Sequence, residues 1–317
     1  KLIVFVLGFI MSSSKPSLLT TTNALSKGHS NKPINDGPAN FFEADPELTK
    51  ILPPQHPSST ATTTTKGSEF GLLAVTLWPP PLDILREPYN TFLSCVRDCF
   101  DKQDILAQPH DVAKDSSSGI GPAAAAVYMY PPECLHVTIS TFHPFTKRTT
   151  DKSKQAVLME QWRDILIHAS QRPEWPSSRN NKNKLKFRIC GAQIGQKAGI
   201  LLWEELTGAL HDMRNCISRE TASRVDSLAK VGIDANTLMI PNIVHSTFLR
   251  FHHVPISKCE GVQAKFSNLV LPHLFSDDMF GSDLVVETDQ IRMVCEWTPY
   301  MHIPCNDDHV LLEVSLL

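Results

Sequence analysis

From residue 69 onward the chain switches repeatedly between two periods of apolar spacing, and each switch predicts an element. Residues 69–78 are almost continuously apolar and stop at three consecutive prolines, as a buried strand does. Phe92, Leu93, Val96 and Phe100 recur at helical spacing and predict a helix over 89–100. Residues 123–130 lead into a short β-branched run around His136. Leu158, Trp162, Ile165 and Leu166 then predict a helix from about 153 to 170. Alternation is clean over 184–190, where Leu185, Phe187 and Ile189 face one way and Lys184, Lys186 and Arg188 the other. Gly195 and Gly199 bracket a turn, and Ile200 to Trp203 returns as the hairpin partner. Leu206, Ala209, Leu210, Met213 and Ile217 mark another helix. A strand around His245, a helix over 259–274 and strands over 290–297 and 310–317 complete the order. Strand, helix and strand recur once in each half. The expected fold class is therefore α+β: bilobal, with two antiparallel β-sheets facing a central cleft, helices outside and a pseudo-two-fold repeat.

Residues 1–68 read differently. Residues 1–11 are apolar after Lys1, too short a run to span a bilayer, and Ser/Thr-rich sequence follows to Ala24. Two readings stay open: a signal-peptide core, or an organellar transit peptide starting at Met11. Without either, a cytoplasmic location is expected. Residues 31–67 carry many Pro and Thr and little periodicity. The expectation is a leader and poorly ordered linker over 1–68, and one domain over 69–317 without a membrane span, acting as a monomer.

Composition narrows the field modestly. Hydrophobic content of 42% and charged content of 20% are those of a globular protein. A net charge of −3 provides no overall positive field for long nucleic acid. Arg179, Lys182, Lys184, Lys186 and Arg188, with Lys147, Arg148, Lys152 and Lys154, form a local basic stretch. It reads as solvated strand-edge charge before it reads as a landing strip for RNA. The eight cysteines contain no CxxC pair, so zinc-ribbon spacing is absent. Cys134 shares strand parity with His136 and reads as a small apolar filler.

The chemistry lies in a repeated string. His136-Val137-Thr138-Ile139-Ser140-Thr141-Phe142-His143 and His245-Ser246-Thr247-Phe248-Leu249-Arg250-Phe251-His252 agree at the first His, the Thr two on, the Phe six on and the His seven on. A His followed two residues later by Ser or Thr also occurs at His56 and His168. The first lies in aperiodic sequence and the second at a helix end. Only the copies at 136 and 245 lie in strand-like runs, where residues two apart share a face. Each run therefore presents an imidazole and a hydroxyl together. Odd spacing puts His143, His252 and Arg250 on the opposite face, Arg250 as an outer salt bridge unless a bulge turns it inward. No Asp or Glu completes a metal triad within either string. Phe142 and Phe251 share parity with their histidines and read as core before base-stacking platforms.

In these two motifs the chain resembles the 2H (two-histidine) phosphoesterase superfamily, whose signature is two His-x-Thr/Ser motifs on inner strands of a bilobal fold. The likeness spans about Phe70 to Leu317, with a long leader and polar insertions near 102–122, 172–183 and 218–238 that compact members lack. The resemblance implies a phosphoric diester hydrolase without cofactor or metal. Its implied substrate is a 2′,3′-cyclic or related cyclic phosphate on a nucleotide or RNA end, as in the 2′-5′ RNA ligase and cyclic nucleotide phosphodiesterase group. His136 and His245 would serve as acid and base, and Thr138 and Thr247 would hold the phosphate. The alternative is a non-catalytic nucleotide- or RNA-binding scaffold of the same fold.

Overall fold

The computed structural model describes residues 41–48, 69–105, 125–176, 184–303 and 305–316. The chain divides into two units, residues 1–41 and 42–317. Only Phe41 of the first is described, so every element named here belongs to the second.

Nine strands among the described residues form two antiparallel sheets. The first sheet has the order β3 (Val137–His143), β1 (Gly71–Thr76), β8 (Gln290–Glu296), β9 (Val310–Ser315). In the second the order is β2 (Val127–Met129), β6 (His245–Phe251), β5 (Ala198–Glu205), β4 (Leu185–Ile194), β7 (Val285–Thr288). The arrangement is α+β and bilobal, one motif strand to each sheet. Sequence order hides one exchange. β2 runs directly toward β3, yet it pairs with β6 in the other sheet, with Val127 opposite Phe251. The expected strands all occur. β7 is a four-residue edge strand with too little periodicity to be predicted.

Helices supply the apolar faces that cover the sheets. α1 (Leu82–Arg97) buries Leu85, Tyr89, Phe92, Leu93 and Val96 along one stripe. It starts seven residues earlier than its apolar spacing predicts, because its first two turns are largely exposed. A single turn, α2 (Lys102–Ile105), follows. α3 (Lys152–Ser170) begins at Asp151, whose carboxylate accepts from the Ser153 and Lys154 backbone N–H groups. Its Trp162 stacks on Phe142 of β3 at 5.3 Å between ring centroids. α4 (Ala209–Ser223), α5 (Val225–Lys230) and α6 (Cys259–Leu269) complete the set. α5 falls within the polar stretch 218–238. α2 and residues 172–176 belong to the other two inserted stretches, 102–122 and 172–183, the rest of which lies outside the described residues, as do 123–124 and residues 1–40 and 49–68 of the leader.

Residues 42–48 precede the first strand, and sequence periodicity gives no sign of them. Phe42 packs on Phe251 at 4.3 Å and Leu48 is fully buried. Backbone hydrogen bonds tie Glu43 N–H to the Gln196 carbonyl at 2.8 Å and Asp45 N–H to the Phe251 carbonyl at 2.7 Å.

Both motif strands are bulged at one equivalent place. Opposite β1, Ala74 pairs with Ser140 but Val75 with Thr138, leaving Ile139 as an extra residue. Opposite β5, Gly199 pairs with Leu249 but Ile200 with Thr247, leaving Phe248 extra. Each extra residue immediately follows its motif Thr and reverses the alternation beyond it. The second bulge has a partner in Gly199, where a Cβ would stand 2.6 Å from two atoms of the Phe248 ring. Glycine is needed here for room rather than for turn geometry. Gly199→Ala should therefore destabilise the fold by about 1–3 kcal/mol in urea denaturation. Gly195→Ala, whose Cβ would meet nothing nearer than 3.6 Å, should cost much less.

Candidate active site

His136 stands just before β3, with Thr138 two residues on; His245 opens β6, with Thr247 two residues on. All four border one cavity of about 210 Å³, together with Tyr130, Thr141, Arg250, Glu296 and Tyr300. The two strings thus meet at one place, from different sheets.

Side chains and carbonyls lock them there. His136 Nδ1 lies 2.9 Å from the Cys134 carbonyl. A carbonyl can only accept, so Nδ1 carries the hydrogen and Nε2 of the neutral ring is left to take a proton. Ser246, the middle residue of the second motif, donates to the His136 carbonyl at 2.6 Å and accepts from Trp203 Nε1 at 3.0 Å. Arg214 of α4 is buried and donates to three carbonyls: Thr138 at 2.9 Å, Ile139 at 3.2 Å and Ile243 at 3.3 Å. One guanidinium thereby fastens the first motif strand to the segment entering the second. Burial lowers its pKa to about 10, still well charged at neutral pH.

The site holds its histidines neutral. Burial pushes His136 below its ordinary value, the Cys134 carbonyl pulls the other way and the Arg250 cation adds to the drop. His245 falls to about 4 through burial, then through His136, Arg250 and Arg214. Glu296 moves oppositely: burial lifts its carboxyl to about 7, although Met301 N–H donates to it at 2.9 Å. Gly71 makes its space, since a Cβ there would stand 2.6 Å from Glu296 Oε1.

Arg250 corrects the odd-spacing argument. The bulge at Phe248 turns it to the same side as His245 and Thr247, so it borders the cavity instead of an outer face. Its Nη1 meets Asp45 Oδ2 at 2.8 Å, and its guanidinium lies 3.9 Å over the Tyr300 ring. The bulge at Ile139 does the same for Thr141, five residues after His136 as Arg250 is five after His245. That matched position was visible in the repeat; the bulges that give it meaning were not. Glu296, Tyr130 and Tyr300 reach the cavity from elements with no sequence mark of function.

Other candidates go elsewhere. Phe142 and Phe251 are fully buried in the core. His143 stacks on Phe70 at 5.2 Å, with Nε2 3.0 Å from Thr149 Oγ1, and His252 packs against Tyr128. Neither borders the cavity. Cys134 sits on a 3-10 turn (Pro132–Cys134), not a strand, and serves His136 through its carbonyl. The basic strand edge is paired: Lys186 with Glu287 at 2.8 Å, Arg188 with Glu204 at 2.6 Å. Arg179 and Lys182 lie outside the described residues. Among the described residues no three His, Cys, Asp or Glu side chains converge as metal ligands, and no helix is long and apolar enough to cross a membrane.

No protein-family model matches the chain, and no curated protein sequence matches it. Among solved structures it is similar to TT0787 of Thermus thermophilus, at TM-score 0.35 and 13% identity over 78% of this chain and 97% of that one. It is also similar to the conserved protein of unknown function ATU0111 from Agrobacterium tumefaciens, at TM-score 0.37 and 14% identity over 83% and 94%.

The neutral histidines make stability depend on pH. His143, His245 and His302 are each held down to about 4, burial being the largest cause in every case. Unfolded, each takes a proton near 6.5; folded, none does until about 4. The stability they confer is whole above pH ~6.5 and is lost as pH falls toward about 4. The thermal midpoint should drop between about pH 7 and pH 4.5, and less steeply in His143→Gln, which removes one of these groups away from the cavity.

Proposed function

We propose that the chain is a phosphodiesterase that opens a 2′,3′-cyclic or related cyclic phosphate on a nucleotide or RNA end by two-histidine acid/base catalysis, as a member of the 2H phosphoesterase superfamily. The observation that carries this reading is the convergence of both His-x-Thr pairs on one cavity. Two imidazoles bordering one phosphoryl group act in opposite protonation states. One takes a proton from the attacking water, whose oxygen bonds to phosphorus. The bond to the 2′ or 3′ oxygen breaks, and the other imidazole protonates that oxygen. Thr138, Thr247 and Arg250 donate to the non-bridging oxygens as negative charge accumulates, so the anion is met by fixed protein donors. A metal ion is not needed for that task. A cyclic diester suits so small a cavity, since its leaving oxygen stays tethered beside the acid.

The electrostatics support an order of roles. Burial is the largest cause at both rings, and a backbone carbonyl opposes it at each, Ile243 at His245 and Cys134 at His136; three cationic or protonatable neighbours add to the drop at His245, and Arg250 alone at His136. His245 is the readier base, and His136 the readier acid. Each histidine reaches its working state with substrate bound, because the incoming anion offsets the cations around it.

Turnover of 2′,3′-cyclic nucleotides without added metal should fall by at least about 100-fold in His136→Ala and in His245→Ala. With a nitrophenyl phosphodiester, whose leaving group needs no proton, His136→Ala should recover far more activity than His245→Ala. Equal recovery rejects the order of roles. Full activity in both single variants rejects the function, and tight ligand binding without product favours the scaffold reading. A chelator should leave the rate unchanged.

The depressed histidines also set a pH profile. kcat/KM follows the free enzyme, so its optimum should lie below the ordinary histidine value of 6.5. The kcat optimum should lie higher, since bound phosphate raises both groups. Initial-rate profiles from about pH 4.5 to 8.5 check both.

A further inference from the structure

We propose that Asp45, carried on the segment 42–48 ahead of the first strand, is a positioning residue that fixes the Arg250 guanidinium at the edge of the cavity. The proposal rests on the phosphodiester reading of the site, because it is the phosphate that Arg250 is positioned to meet.

Two residues hold this arginine. Asp45 Oδ2 holds Nη1 at 2.8 Å, and the Tyr300 ring lies under the guanidinium at 3.9 Å. The Tyr300 hydroxyl closes the set by donating to Asp45, with Oδ2 at 2.8 Å and Oδ1 at 3.0 Å. Asp45 Oδ1 also accepts from Glu47 N–H at 2.9 Å, so the carboxylate is itself held on both oxygens. The grip takes one corner of the fork. The side chain borders the cavity with both motif histidines. A guanidinium beside two imidazoles suits an anionic oxygen.

The supports are themselves prepared. Tyr300 and Met301 both have left-handed backbone, φ 61° and 59°, a conformation that costs energy in residues with side chains. Glu296 holds that turn through Met301 N–H. Segment 42–48 is anchored independently of Asp45 by Phe42 on Phe251, by Glu47 to Arg148 at 2.7 Å, by Glu43 to Lys197 at 3.1 Å and by its backbone bonds. Replacing the Asp45 carboxylate therefore loosens the arginine without releasing the segment. Stability alone does not account for the cluster, since a buried ion pair is a poor stabilising device. A planar fork that must meet two phosphate oxygens at fixed angles gains directly from being held.

The test uses the full chain as wild type, Asp45→Asn, Arg250→Ala and the double variant. Turnover of 2′,3′-cyclic nucleotide and calorimetric affinity for inorganic phosphate are measured, with thermal melting as a check on folding. Asp45→Asn should lower kcat about tenfold and weaken phosphate several-fold. In the Arg250→Ala background it should change neither, because its effect passes through the arginine. Wild-type values in Asp45→Asn overturn the proposal. So does tighter phosphate binding, which would make Asp45 a competitor for the arginine, and so do effects that add in the double variant. If Asp45→Asn fails to fold, Tyr300→Phe, which keeps the ring and removes only the hydroxyl, should show the same coupling at about threefold. Phosphate binding that depends on Asp45 in a chain without turnover would sink the phosphodiesterase reading and leave this one standing. Turnover that ignores Asp45 would do the reverse.

Discussion

Everything at the cavity depends on a junction between two sheets that share no strand. β3 lies at the edge of one sheet, and its carbonyls near the motif face the segment that enters β6 in the other. Buried carbonyls without donors would be costly there. Arg214 supplies the donors, reaching Thr138 and Ile139 on one side and Ile243 on the other, while Ser246 reaches the His136 carbonyl. A side chain with fewer or less rigidly arranged donors would leave one strand loose. The same guanidinium also places a fixed positive charge behind His245 and helps to keep that ring neutral. Structural satisfaction and electrostatic tuning are one interaction here.

The second constraint is the paired bulge. Without it a strand offers alternate residues to one face, and a motif of His and Thr is followed by whatever falls at even spacing. An extra residue directly after each Thr shifts the series and brings position five of each copy to the cavity: Thr141 from one strand, Arg250 from the other. Repetition in the sequence is thus matched by repetition in the backbone. The two copies differ in what the shift delivers, a hydroxyl in one and a cation in the other. The site is pseudo-symmetric in geometry and asymmetric in charge, which separates the surroundings of its two imidazoles.

Charge around the cavity is set by burial and by one ion pair. Both histidines are held neutral, Arg250 is balanced by Asp45, and burial keeps Glu296 from ionising fully at neutral pH. A phosphodiester would bring negative charge to this set. Its arrival would favour protonation of an imidazole.

The order and type of the main elements were legible from apolar periodicity alone, because strands and helices that cover a core must repeat every two or 3.6 residues. So were the two His-x-Thr pairs, since spacing of two on a strand already puts both side chains on one face. Periodicity carries no information about which strand pairs with which. It did not show that β2 crosses to the second sheet, nor that residues 42–48 return to hold Arg250 through Asp45, a contact spanning 205 residues of chain. Parity put Arg250 on the outer face unless a bulge intervened, and parity alone cannot place a bulge: the one at Phe248 sits where Gly199 of a neighbouring strand leaves room for a ring. Local spacing fixes what a residue shares a face with; only the packing of distant strands decides what that face meets.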